Sequence, residues 1–142
     1  MKATVPELRP PAIRLRRILV PVDFSDSSRI AVQFTAAFAA KFDATMILLH
    51  AVQLIIGGEE VGVPRARFLN ELREAAEKRL SRLVRGMEEN NVISRIAVCV
   101  GRPHLEILKQ AQECNADLII MASHGHAGWL RFLRPHTLSR VV

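Results

Sequence analysis

The stretch Asp117-Leu118-Ile119-Ile120-Met121-Ala122-Ser123-His124-Gly125-His126-Ala127-Gly128 decides how this chain is read. A short apolar run stops at a small residue and a glycine-spaced loop follows. A buried parallel strand hands over to an anion-cradling turn in this way, because successive backbone N–H groups of such a loop can converge on one negative group. An ordinary tight turn between strand and helix has the same look.

Working outward, three more apolar runs share this character. Ile18-Leu19-Val20-Pro21-Val22 is short and β-branched, and Pro21 removes a ladder donor only near the strand's end. Ala44–Val52 and Val92–Val100 are the others. Between them lie amphipathic stretches. Ile30, Ala31, Phe34, Ala37 and Phe38 predict a helix over about 27–41, with Ser25 and Ser27 as candidate caps. Leu69, Leu72, Ala76, Leu80, Leu83 and Met87 step by three or four and predict a long helix over about 65–89. Gly101-Arg102-Pro103 opens a third, with Ile107, Leu108 and Ala111 inward. After the glycine loop an amphipathic tail is expected. Strand and helix alternate throughout, which predicts a single-domain, open parallel sheet with helices on both faces. Ligands of such sheets bind beyond the carboxyl ends of the strands. That rule gathers Asp23, His50, Gly101 and the loop of residues 122–128 at one edge.

The bulk properties agree. The chain has 142 residues, 49% hydrophobic and 24% charged, which suits one globular domain. Pro6, Pro10 and Pro11 lie close to Arg14, Arg16 and Arg17, so residues 1–16 read as a flexible basic arm ahead of a domain over 17–142. The net charge of +6 favours anionic partners. Tyr is absent and aromatic residues make up only 5%, too few for a base-stacking platform, so no nucleic-acid partner is expected. No apolar run reaches the ~18 residues of a membrane span, and residues 1–16 have no apolar h-region. Cys99 and Cys114 lack metal-ligand spacing and read as reduced thiols of a cytoplasmic protein.

Three segments together resemble the universal stress protein family. Ile18-Leu19-Val20-Pro21-Val22-Asp23-Phe24-Ser25 is similar to its opening strand and acidic turn. Val100-Gly101-Arg102-Pro103 with Ile107 is similar to its third strand's exit. Ala116–Met121 with Ser123-His124-Gly125 and Gly128 is similar to its fourth strand and loop. The resemblance implies a Rossmann-like α/β fold and a site for ATP or AMP, with Mg. It implies that Asp23 and the strand end His50-Ala51-Val52 contact the adenosine and that Gly101 lines the pocket. Family members that bind ATP carry Gly-x2-Gly-x9-Gly-[Ser/Thr] in the last loop. Here those positions hold Ala122, Gly125, Pro135 and His136, with Ser123, His124 and Gly128 between them. Proline has no N–H to give a phosphate, while Pro135 suits the first position of a helix. Arg102, Arg131 and Arg134 are candidate charge replacements. The resemblance also implies homodimers formed through a final, fifth strand, which is expected to be absent because the chain reaches Val142 within the last helix.

Two functions remain open at this point. One is a non-catalytic, nucleotide-responsive stress protein with an eroded site. The other is a family member that works through an unknown protein partner without nucleotide. A weak ATP hydrolase is a third, disfavoured because no general base, P-loop lysine or carboxylate pair accompanies the loop. His124, His126 and His136 invite a zinc or nickel site but bring no carboxylate or cysteine, so no metal is expected.

Overall fold

The computed structural model describes residues 12–53, 65–87, 91–123 and the backbone of 130–133. In chain order the elements are β1 (Arg17–Pro21), α1 (Asp26–Phe42), β2 (Thr45–Val52), α2 (Arg65–Arg85), β3 (Ser94–Val100), α3 (Pro103–Glu113), β4 (Leu118–Ala122) and β5 (Leu130–Leu133). The sheet order is β3-β2-β1-β4-β5. The first four are mutually parallel, as expected, with Leu19 beside Ile47 and Ile119.

The apolar runs are continuous because both faces of the sheet are covered. Their alternation nevertheless sorts residues between two cores. Ile18, Val20, Met46, Leu48, Leu118 and Ile120 face α1 and α2, where they meet Val32, Ala36, Ala39 and Leu80. Leu19, Ile47, Leu49, Cys99 and Ile119 face α3, where they meet Ala111 and Ala116. A one-residue slip in any strand would exchange its two cores, so the register is tightly specified.

Each helix stops and starts for a local reason. Ser25 is the N-cap of α1: its hydroxyl accepts the Ser28 N–H at 3.2 Å. Asp43 ends the helix in the left-handed conformation, φ 53°. Pro103 occupies the first turn of α3, where its missing N–H costs nothing. Asn115 takes φ 49° just after α3, a conformation asparagine tolerates.

One strand was not anticipated. The stretch read as the beginning of an amphipathic tail is β5, antiparallel to β4 with Met121 opposite Arg131 and Ala122 opposite Leu130. The segment 123–129 is too short for a parallel crossover, which needs a dozen or more residues, so the chain can only turn back as a hairpin. The edge expected to stand bare for want of a parallel final strand is thus lined by a different one. The tail from Arg134 onward, with Pro135 and His136, lies outside the described residues, as do residues 1–11 of the basic arm. The arm's last residues are docked: Leu15 is buried in the α1–α2 core.

Asp117 holds the amino end of the sheet together. Its Oδ2 accepts the backbone N–H of Arg16 at 2.8 Å and of Arg17 at 3.0 Å, while its own N–H donates to the Arg17 carbonyl at 2.9 Å. The Arg17 guanidinium in turn donates to the Cys114 carbonyl at 3.1 Å. Charge-assisted bonds to backbone donors are worth about 1.5–3 kcal/mol each when dry and less at an exposed edge. Asp117→Ala is expected to lower stability by about 1–2 kcal/mol in urea titration with an unchanged m-value. Asp117→Asn should recover part of that loss.

Candidate functional site

At the carboxyl ends of β1, β2 and β4 a cleft of about 280 Å³ opens. Its lining comprises Pro21, Val22, Asp23, Leu49, His50 and Ala51 from the first two strands. Ser28 of α1, Pro103 and Ile107 of α3, and Met121 and Ala122 of β4 complete it. Mostly apolar walls with a few polar groups are what a small-molecule site offers.

The cleft depends on how β1 ends. The Val22 N–H donates to the Leu49 carbonyl at 2.8 Å, extending the ladder one residue past the strand. The Val22 carbonyl accepts from His50 Nδ1 at 2.7 Å. A carbonyl can only accept, so Nδ1 carries the proton, and in the neutral ring Nε2 is the acceptor. Phe24 follows with φ 65°, a conformation that is rare for a bulky residue and costs on the order of 1–3 kcal/mol. Its ring centroid sits 4.6 Å from that of the His50 ring, and the Arg79 guanidinium of α2 lies 3.9 Å from its centroid. The tilted ring contact with His50 and the cation–π contact with Arg79 offset part of the backbone strain.

Asp23 performs two jobs. Its Oδ1 accepts both the N–H of Ser25, at 2.9 Å, and the Ser25 hydroxyl, which makes it the turn residue ahead of α1. It also lines the cleft. Of the remaining sequence candidates, His50, Ala51 and Ala122 line the cleft, and Val52 is buried at the end of β2 without lining it. Ala122 closes β4 and is not among the residues with positive φ, so its methyl meets no backbone penalty there. Ser123 follows β4 directly. His124, Gly125, Gly128 and His136 lie outside the described residues, as does His126. Sequence reasoning missed Phe24, Ser28, Pro103 and Met121. The last could have been found, since it stands one residue from the carboxyl end of a strand.

Gly101 forms the exit of β3 rather than the cleft wall. Its N–H donates to the Val52 carbonyl at 3.0 Å. A Cβ built on it would stand 2.7 Å from Glu106 Oε1, so the carboxylate lies against the glycine. A larger groove, about 710 Å³, adjoins on the α3 side and is lined by Gln53, Arg102, His104, Leu108 and Ile119, sharing Pro103, Ile107 and Met121 with the cleft. Among the described residues no group of three metal-binding side chains is present, and no helix is long and apolar enough to cross a membrane.

Burial pushes the Cys99 thiol up, and the negative charge of Glu106 pushes it further. Its Sγ lies 3.6 Å from the His50 carbonyl. A thiol whose folded pKa exceeds its unfolded value adds stability below the unfolded value and loses it as pH rises through the folded one. Stability is therefore expected to fall on the alkaline side of the ordinary thiol range. Glu106→Gln removes the charge, lowers the thiol's pKa and should speed alkylation of Cys99 by iodoacetamide at fixed pH. Peptide mass spectrometry separates this from Cys114.

The chain matches the universal stress protein family over residues 14–142. It is 30% identical over 146 aligned positions to universal stress protein MJ0577 of Methanocaldococcus jannaschii, covering 92% of this chain and 90% of that one. The solved structure of MJ0577 superimposes with a TM-score of 0.65 at 31% identity, over 80% of this chain and 78% of that chain. A universal stress family protein from Burkholderia pseudomallei shares the fold at a TM-score of 0.66 and 22% identity, over 80% of this chain and 86% of that one. A universal stress protein in complex with cAMP shares it at 0.53 and 21%, over 75% of each. The chain belongs to the universal stress protein family.

Proposed function

We propose that this chain is a non-catalytic stress-response protein that binds the adenosine part of an adenine nucleotide in the cleft at the carboxyl ends of β1, β2 and β4. The observation that carries the reading is the convergence of Asp23, His50, Ala51 and Ala122 on one cleft whose 280 Å³ suits a nucleoside better than a whole triphosphate. Asp23 offers a carboxylate to a ribose hydroxyl or an exocyclic amine. The His50 ring, pinned through Nδ1 to the Val22 carbonyl, directs Nε2 away from that bond as a further polar group. Pro21, Ile107 and Met121 supply apolar walls for the base. Family membership and the cAMP complex of a protein with this fold support the ligand class.

The phosphates have less to hold them. Pro135 brings no N–H, and His136 stands where the family pattern has a hydroxyl. Arg102, at the rim of the adjoining groove, is positioned to meet negative charge. Asp23 is the one carboxylate among the described residues lining the cleft, whereas a metal-assisted phosphoryl transfer calls for a metal-holding set and a positioned nucleophile. A second reading is a family member that works through a protein partner without nucleotide, and Pro135 is the observation that favours it.

Isothermal titration with AMP and with Mg-ATP tests both. AMP and ATP are expected to bind within about threefold of each other, because the added phosphates gain few donors. Asp23→Ala should weaken both by about tenfold, or ~1.4 kcal/mol. Absence of heat at millimolar nucleotide, from protein with an intact melting transition, would replace the first reading by the second. Phosphate release from Mg-ATP that disappears in Asp23→Ala would overturn the non-catalytic assignment.

A further inference from the structure

Two cavities lie side by side at the carboxyl edge of the sheet, and a nucleoside occupies only the smaller. The cleft of about 280 Å³ stands at the lower limit of small-molecule sites, while the groove of about 710 Å³ beside α3 is more than twice as large. Helix and strand periods explain why they adjoin. Ile119 and Met121 are two apart on β4 and so turn toward one face, that of α3. Pro103 and Ile107 are one turn apart on α3 and line both cavities together with Met121. The next row of the helix, His104 and Leu108, lines only the groove.

The chemistry of the groove is divided. Its walls are Pro103, Ile107, Leu108, Ile119 and Met121. Its polar side chains cluster where the chain leaves the sheet: Gln53 follows β2, and Arg102 and His104 stand at the start of α3. Arg102 is the one arginine or lysine among the described residues lining either cavity. A polyphosphate laid along the apolar walls would give up hydration for very few donors. An apolar chain in the same place gains by leaving water.

We propose that the ligand is an acyl adenylate, an adenosine 5′-monophosphate whose phosphate carries an apolar acyl chain. The adenosine lies in the cleft, the single negative charge faces Arg102, and the chain runs past Pro103, Ile107 and Met121 into the groove. This rests on the reading of the cleft as an adenosine site and names what is attached to the adenosine. It also fits the departures in the last loop. Pro135 and His136 stand at positions where the family pattern has donors for a triphosphate, whereas one singly charged phosphate needs little more than one cation. Joining the two parts makes the second contact intramolecular, so the whole binds more tightly than either piece.

Adenosine 5′-(N-decanoyl)sulfamate tests this, with the acylsulfamate standing in for the labile acyl phosphate. The full chain is titrated calorimetrically with it, with its acetyl analogue, with AMP and with decanoate. Complete burial of a methylene is worth about fourfold in affinity; in a groove open on one side about twofold is expected. The decanoyl compound, eight methylenes longer, should therefore bind about 100-fold tighter than the acetyl compound. Leu108 belongs to neither core, so Leu108→Gln should retain the melting transition. It should reduce the decanoyl affinity by about fivefold and leave AMP binding unchanged.

Equal affinity for the acetyl and decanoyl compounds, with AMP still bound, overturns the acyl adenylate and leaves the adenosine reading standing. Decanoate that binds as tightly as the conjugate overturns it as well, because the groove would then serve a free amphiphile. A chain-length gain untouched by Leu108→Gln places the chain outside the groove and has the same consequence. Failure of AMP and both conjugates to bind folded protein removes the adenosine reading and this inference with it.

Discussion

The double tie at Val22 is the constraint on which the site depends. In an ordinary strand the last residue leaves one backbone group to solvent. Here the N–H is held by Leu49 and the carbonyl by the His50 ring, so β1 cannot fray at its carboxyl end. The chain then has a fixed point and direction of departure. It must turn at once to start α1, and Phe24 absorbs that turn in a backbone conformation it would not choose alone. The stack of Arg79, Phe24 and His50 couples α2 to the ends of β1 and β2. Strain of this kind persists only where the surroundings over-determine it, and it concentrates at binding sites. Removing the His50 ring would release the Val22 carbonyl and the Phe24 ring together.

The parallel core was legible because burial on both faces leaves no room for polar residues. Ile18–Val20, Met46–Leu49 and Leu118–Ile120 announce themselves as apolar runs, and their order with the intervening helices dictates the layering. Strand boundaries came within two residues for the same reason. Leu130–Leu133 was not legible. A four-residue stretch that mixes Leu and Phe with one Arg satisfies a helix face and a strand equally well, and only the proximity of an open β4 edge decides between them. The cleft was half legible. Asp23, His50 and Ala122 follow from the rule about strand ends, whereas the ring stack needs Arg79, more than fifty residues further along the chain, and no local pattern announces such a contact.

The two halves of the proposed nucleotide site rest on different physics. The side proposed for adenosine is made of strand ends and the first turns of α1 and α3, which the core itself fixes. Retaining it costs nothing beyond keeping the fold. The phosphate side depends on a loop whose donors must be free of Cβ atoms and of proline. Ala122 is accommodated as the last residue of β4, whereas proline at position 135 has no N–H to offer.

The antiparallel β5 carries the same logic to the edge of the sheet. An exposed edge of parallel strand invites pairing with any extended chain. A hairpin partner satisfies β4 locally and leaves β5 as the new edge. On the opposite side β3 stands at the edge, where Arg95, exposed in mid-strand, is the kind of charge that discourages edge-to-edge growth.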